Sequence, residues 1–359
     1  MPKSIIKLAG FFLGLVFSCS VAVADQVALN PNHPDRYVVV KGDTLWDIAG
    51  KFLNEPWRWP DVWQANQQIQ NPHLIYPGDT LVLSFVDGKP QITVAGRGAP
   101  MASNGADDLK GSVVKLSPRV RSTPISKAIP AIPIDAIQQF LTRPYVSDKQ
   151  QLDNAPYIVD FADEHIIGGA GFRAYVRSIT GKSSKKYDVV RPGKPYKDAE
   201  TGEILGHEAL FIASAILQRT GDPATLLLED TEMEAIKGDR LLPAMETQPL
   251  TTFFPRPPKR KVHGSIIAVL NGVTQIGQYN VVVIDRGQTD GMEAGTVLTI
   301  DQKGEVVRDT VTEDSADTVK LPDERAGTLM VFRTFPRVSF GLVMHATKAL
   351  HVGDRVRNP

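Results

Sequence analysis

Residues 37–83 read YVVVKGDTLWDIAGKFLNEPWRWPDVWQANQQIQNPHLIYPGDTLVL, and their punctuation defines a small α+β unit. Tyr37 to Val40 is a β run, and Gly42-Asp43 makes a turn. Asp43 or Thr44 can cap a helix whose apolar face is Leu45, Ile48, Ala49 and Phe52. Pro60 restarts a second helix, and Asn71-Pro72 breaks it. Pro77-Gly78-Asp79 is a turn that opens a closing strand, Thr80 to Leu83. The predicted order is β-α-α-β in under about 50 residues, a length at which one core is marginal.

All four tryptophans of the chain, Trp46, Trp57, Trp59 and Trp63, fall in this stretch. Trp57 and Trp59 lie between the two helices. They can serve as a stacking platform or cover a core that otherwise lacks apolar mass, and the shortage of apolar residues favours cover. Trp46 reads as core, Asn66 as a structural amide, and Asp43 as a cap rather than a catalytic acid.

On the N-terminal side, Lys3 and Lys7 precede an apolar run from Leu8 to Phe17, and Ala22-Val23-Ala24 forms a small-x-small pattern. Residues 1–24 therefore read as a cleaved export signal, and the expected location is periplasmic. Cys19, the one cysteine, lies in that signal. Loss of the signal leaves 38 basic against 40 acidic residues from an initial 40 of each. No positive field remains to draw nucleic acid, and none is expected as a partner.

On the C-terminal side, residues 87–130 lack tryptophan and carry Gly, Ser, Ala, Pro and charges with little periodicity. They read as a partly extended linker. Pro133, Ile134, Ile137, Phe140 and Leu141 mark a short helix. Beyond about residue 155 the period is two, as in Phe172, Ala174 and Val176. One β-rich domain spans 131–252 and a second 262–359, with FFPRPPKRK at 253–261 as a Pro-rich hinge. Residues 224–240 align without a gap on 339–355, both ending in Gly-Asp-Arg. Two small antiparallel barrel-like domains in tandem would explain this repeat.

The pattern V-x-x-GDTLW followed by N-P-x-L-I-Y-PGD-x-L resembles the LysM domain, a peptidoglycan- and chitin-binding module. The resemblance implies that N-acetylglucosamine units lie in a shallow groove between two loops. Carried onto this sequence, the loops are Gly42, Asp43, Thr44 and Leu45, and Pro72, Leu74, Ile75 and Tyr76. Backbone N–H and C=O groups there can bond an N-acetyl amide, and Leu45, Leu74 and Ile75 can receive its methyl. A few such bonds, each about 0.5–1.5 kcal/mol net, give affinities of about micromolar to millimolar.

Four further stretches, APYIVDFADEHIIGGAGFRAYVR (155–177), YDVVRPGKPYKDAETGEILGHEAL (187–210), GDPATL (221–226) and KLPDERAGTLMVFRTFPRVSFGLVM (320–344), together with the LysM motif, resemble the TsaP family of type IV pilus secretin-associated proteins. The C-terminal part of that family is similar to FlgT. The resemblance implies a periplasmic, outer-membrane-associated protein that holds the outer-membrane secretin to peptidoglycan. The alternatives are a regulator of a wall hydrolase and a flagellar-type assembly factor.

An enzyme is not expected. A thiolate nucleophile has only Cys19 to draw on. The seven histidines form neither HxH nor HExxH, so no metal or cofactor is expected. Asp160, Asp163, Glu164, Asp198 and Glu200 stand in polar, turn-like stretches and read as solvated loop acids.

Overall fold

A computed structural model describes residues 27–63, 75–96, 128–141, 146–179, 184–244, 253–270, 275–309, 311 and 317–359. The export-signal reading of 1–24, and the readings of Asn66, Pro72 and Leu74, lie outside these residues.

The N-terminal unit has strand β1 (Arg36–Val38), helix α1 (Leu45–Phe52), a 3-10 turn (Pro56–Arg58), helix α2 (Trp59–Trp63) and strand β2 (Thr80–Val86). β1 and β2 pair antiparallel, with Tyr37 opposite Leu81. Leu45, Ile48, Ala49 and Phe52 are all buried, as their helical spacing demands. A third strand, β3 (Lys89–Gly96), corrects the linker reading: it pairs with β2 from Val86↔Lys89 onward. Asp87 and Gly88 take φ of +50° and +74°, the two-residue turn that matches strand twist. Asp-Gly was the sequence signal for that hairpin, and it falls at the first two residues assigned to the linker.

The linker's far end is also structured. Ile129 and Ala131 are buried in the core of the N-terminal unit. A 3-10 turn (Ile134–Ala136) and helix α3 (Gln138–Leu141) follow, where the short helix was expected.

The first β-rich domain contains β4 (Val146–Ser147), α4 (Lys149–Asn154), β5 (Tyr157–Phe161), β6 (Arg173–Arg177), β7 (Lys186–Lys197), β8 (Ile204–Arg219), β9 (Ala224–Thr231) and β10 (Arg240–Pro243). Their order is β4-β8-β7-β10-β5-β6-β9, and β9 also pairs with β8, so six strands close into a ring. The second domain contains β11 (His263–Val269), β12 (Val281–Ile284), β13 (Val297–Gln302), a small hairpin of β14 (Val306–Arg308) and β15 (Thr318–Lys320), then β16 (Glu324–Thr334), β17 (Ser339–Ala346) and β18 (Arg355–Arg357). It is a closed barrel of order β11-β12-β17-β16-β13-β18. Substituting β5, β6, β7, β8, β9 and β10 for β11, β12, β13, β16, β17 and β18 reproduces the ring order of the first domain. The internal repeat is thus a repeat of topology, with the β14–β15 hairpin as an insertion.

The repeated Gly-Asp turns explain how each ring closes. Gly238 donates its N–H to Ile158 (2.8 Å), and Ile158 donates its own to Asp239 (3.0 Å). Gly353, Ile266 and Asp354 repeat these bonds at 2.8 and 2.9 Å. Gly78, Val39 and Asp79 repeat them in the N-terminal unit, both at 2.8 Å. The three glycines have φ of +93°, +100° and +97°, a region L side chains avoid. In each turn the aspartate carboxylate accepts the N–H three residues back, from Ile236, His351 and Tyr76.

The second barrel buries both of its faces. Val282 and Ile284 of β12 point into the barrel, whereas Val281 and Val283 join a second cluster outside it. That outer cluster also takes Tyr196, Leu205 and Phe211 from the first domain, Ile132, Ile137 and Phe140 from the connecting segment, and Trp46 from α1. Trp46 is therefore buried against the barrel, not in the core of its own unit. It sits one residue along from Leu45, about 100° around the helix. Residues 253–261 are not a free hinge either. Phe253 is buried in the same cluster, Arg256 exchanges backbone bonds with Gly295 and Val297, and Arg256 and Lys259 both pair with Glu293. With Pro255, Pro257 and Pro258 around it, the Arg256 N–H is the local donor that can dock, and it does.

The β7–β8 tip meets the second barrel through Arg286 and Asp198 at 3.2 Å. The Thr201 N–H, and then the Glu200 N–H and Arg286, hold the Asp198 carboxyl down at about 2 against the pull of burial. A lowered folded value means the contact contributes above the unfolded carboxyl range near pH 4 and is lost as pH falls toward about 2. A carbon NMR titration of Asp198 should place its midpoint near 2. A midpoint near 4 would show that the turn does not hold.

Candidate functional site

The two loops singled out in the sequence converge around Val39. The first is a tight turn. Gly42 has φ of +101°, Asp43 returns its N–H to Val40, and the Asp43 carboxylate accepts the Val40 N–H at 2.9 Å and the Tyr37 hydroxyl at 2.9 Å. Burial, followed by that bond to a carboxylate, pushes the Tyr37 hydroxyl up to about 12. Asp43 is thus a turn residue. Thr44 is the cap: its hydroxyl accepts the Asp47 N–H at 3.1 Å, and the Asp47 carboxylate accepts the Thr44 N–H at 3.3 Å, a reciprocal capping box.

The second loop enters the described residues at Ile75. Tyr76 donates its N–H to the Asp79 carboxylate at 3.0 Å, and Gly78 and Asp79 flank Val39 as described. Val39 therefore ties the second loop to the strand that feeds the first. Of the predicted residues, Gly42 is exposed, Asp43 and Tyr76 are half-buried, and Thr44, Leu45 and Ile75 are buried. Pro72 and Leu74 fall outside the described residues.

Burial of Leu45 and Ile75 has a specific cause that the sequence reading missed. Segment 128–132 runs between the loops. Ile129 donates its N–H to the Ile75 carbonyl at 2.9 Å. Leu45 and Trp46, the first two residues of α1, donate theirs to the carbonyls of Pro130 (3.0 Å) and Ala131 (3.2 Å). These two helix-start donors have no partner inside the helix, so the segment satisfies them. A signal was present: residues 129–134 read IPAIPI, an apolar run whose prolines made it look like the end of a linker.

The tryptophans divide by location. Trp59 and Trp63 are buried in the core of this unit with Phe52, Ile75, Leu81 and Ile92. Trp57 packs toward the second barrel. It lines, with Trp46, Lys51, Asn54, Arg325 and His345, a cavity of about 940 Å³ between the N-terminal unit and that barrel. Of the acids weighed as catalytic, Asp160 pairs with Lys237 and Asp163 with Arg173, while Asp198 serves the β7–β8 turn. Three of those five acids thus make structural contacts.

The LysM domain family matches residues 37–84. A protein of Bacillus subtilis (strain 168) described as uncharacterized protein YqbP is 41% identical over 58 residues, which is 13% of this chain and 26% of that protein. The chain spans about a quarter of that relative's length, so the likeness is one of a domain.

Proposed function

Starting from a LysM domain at 37–84, a binding module for N-acetylglucosamine-containing glycans such as peptidoglycan, we propose that this protein is a non-enzymatic tether in the periplasm. Its LysM domain holds the wall, and its β-rich domains hold an outer-membrane assembly. What supports the first half is the family match at 37–84 together with the loop pair joined through Val39; Leu45 and Ile75 lie buried beneath those loops, and a shallow groove between the loops is the expected site. Such a groove binds short glycans weakly, and a ring of copies raises avidity by about 10²–10⁴ without new contacts. The second half rests on the sequence resemblance to secretin-associated proteins, which makes a type IV pilus secretin the partner to test first. The outer face of the second barrel is occupied by the chain's own segments. On this reading the partner would meet another face of the two rings.

Co-sedimentation with purified peptidoglycan sacculi tests the reading. The full chain should pellet, and a chain lacking residues 27–96 should stay in solution. Equal pelleting would move wall binding to the β-rich domains. A pull-down with the shortened chain should then recover the secretin. Recovery of an amidase in its place would make the protein a hydrolase regulator.

A further inference from the structure

Segment 128–132 bonds to both of the loops on which the LysM reading depends. Its chemistry matches that of the expected ligand. An N-acetyl group offers one amide N–H, one carbonyl and a methyl. The segment offers the Ile129 N–H to the Ile75 carbonyl and the Pro130 carbonyl to the Leu45 N–H. The Ile129 and Ala131 side chains are buried in the domain core, at 4% and 2% exposure, while Pro130 faces outward. One carbonyl and one N–H of the two loops, at Ile75 and Leu45, are thus already bonded to the chain's own peptide.

The segment is held at its other end by a different body. Ile132, Ile137 and Phe140 lie in the outer cluster of the second barrel, and Arg333 donates to the Phe140 carbonyl at 2.8 Å. Trp46 joins that cluster from the helix that the segment caps, and the Tyr279 hydroxyl reaches the Asp47 carboxylate at 3.3 Å. The strap thus runs from the LysM groove onto the second barrel, and the start of α1 is docked on both.

We propose that segment 128–132 is a strap that competes with glycan for the LysM groove, so that the wall-binding site is closed by the protein itself until glycan displaces the strap. This rests on the glycan-binding reading above. An intrinsic site that is open only part of the time binds with its affinity reduced by the open fraction, so a strap bound for nine-tenths of the time weakens apparent binding about tenfold.

The test uses the full chain and an N-acetylglucosamine tetramer. Ala131→Arg puts a long cation where the strap is buried and should release it. The variant should bind the tetramer about tenfold tighter than the parent by calorimetry. In the parent, millimolar tetramer should expose the Ile129 amide to hydrogen exchange, because its bond to Ile75 is lost. This second readout needs no variant and stands if Ala131→Arg fails to fold. Equal affinity of the two proteins, with Ile129 still protected in tetramer, would overturn the strap and leave glycan binding intact at another face. Failure of both proteins to bind tetramer, with Ile129 already exposed in the variant, would overturn the glycan reading itself and the strap with it.

Discussion

Asp239→Ala is expected to destabilise the first barrel by about 3 kcal/mol. The Asp239 carboxylate is nearly inaccessible to water. It takes two parallel bonds from Arg191, at 2.8 and 2.9 Å, and a third from the Ile236 N–H at 2.9 Å. Arg191 sits on β7 and also donates to the Glu234 carbonyl at 2.9 Å, so the pair clamps that strand to the turn before β10. Breaking a buried pair costs about 3–5 kcal/mol. Arg191 keeps 30% of its side chain in water and recovers part of its hydration, which sets the low end. A loss of that size lowers the midpoint of a domain of this length by roughly 10–20 °C. Asp239→Asn keeps an acceptor for Ile236 and should fall between parent and alanine. Thermal unfolding followed at the first barrel checks both, and a shift under a few degrees for alanine would show that the clamp is screened.

Trp59→Ala is expected to cost about 3–5 kcal/mol, by removal of the largest fully buried side chain of the LysM domain. Among the described residues the ring packs in a core of 14 buried residues, two of which come from segment 128–132. A core of that size has little margin, so the domain should unfold and sacculus binding should disappear, although Trp59 is placed in the core and not in the groove. Trp57→Ala, at a half-buried ring on the cavity wall, should cost less than half as much. Near-ultraviolet circular dichroism with sacculus co-sedimentation separates the two. If Trp59→Ala still pellets with its barrel transitions unchanged, the tryptophan is not what holds this domain.

Where the backbone obeyed local chemistry, the fold could be read from the sequence. The apolar face of α1, the cap before it, the Pro-Gly-Asp turn and the alternation of Phe172, Ala174 and Val176 are all fixed within a few residues of chain. The repeat of Gly-Asp-Arg pointed to a repeated domain because a left-handed glycine followed by a carboxylate that caps its own turn serves the same purpose in each ring. What stayed hidden was non-local. Nothing near Ile129 shows that its N–H will meet Ile75, and prolines that punctuate a linker also suit a strap, since they leave few donors to satisfy. Trp46 looked like core and is buried, but its burial comes from a barrel more than 200 residues away in the chain. The turns at Gly42 and Gly78 were legible from their motif, and the bonds of segment 128–132 to the loops beside them were not.

The Gly-Asp clasp has a mechanical consequence. The chain enters the first barrel at β5 and leaves it at β10, and these strands are antiparallel neighbours joined at their outer ends by the bond from Leu241 to Pro156 at 2.8 Å. Once the contacts of Trp46, Asp47 and the connecting segment with the second barrel, and the β4–β8 pair, have parted, tension between the LysM domain and the second barrel would draw the two strands apart from one end. The bonds would be loaded singly, as in a zipper, rather than sheared together. Within the ring the first to yield is Leu241 to Pro156, and next come the two backbone bonds of Ile158, with Gly238 and Asp239, beside the Arg191 clamp. The turn that closes the ring is then also its latch. A chain stretched in a single-molecule pull should hold at that latch and, once past it, pay out the whole first barrel in one step.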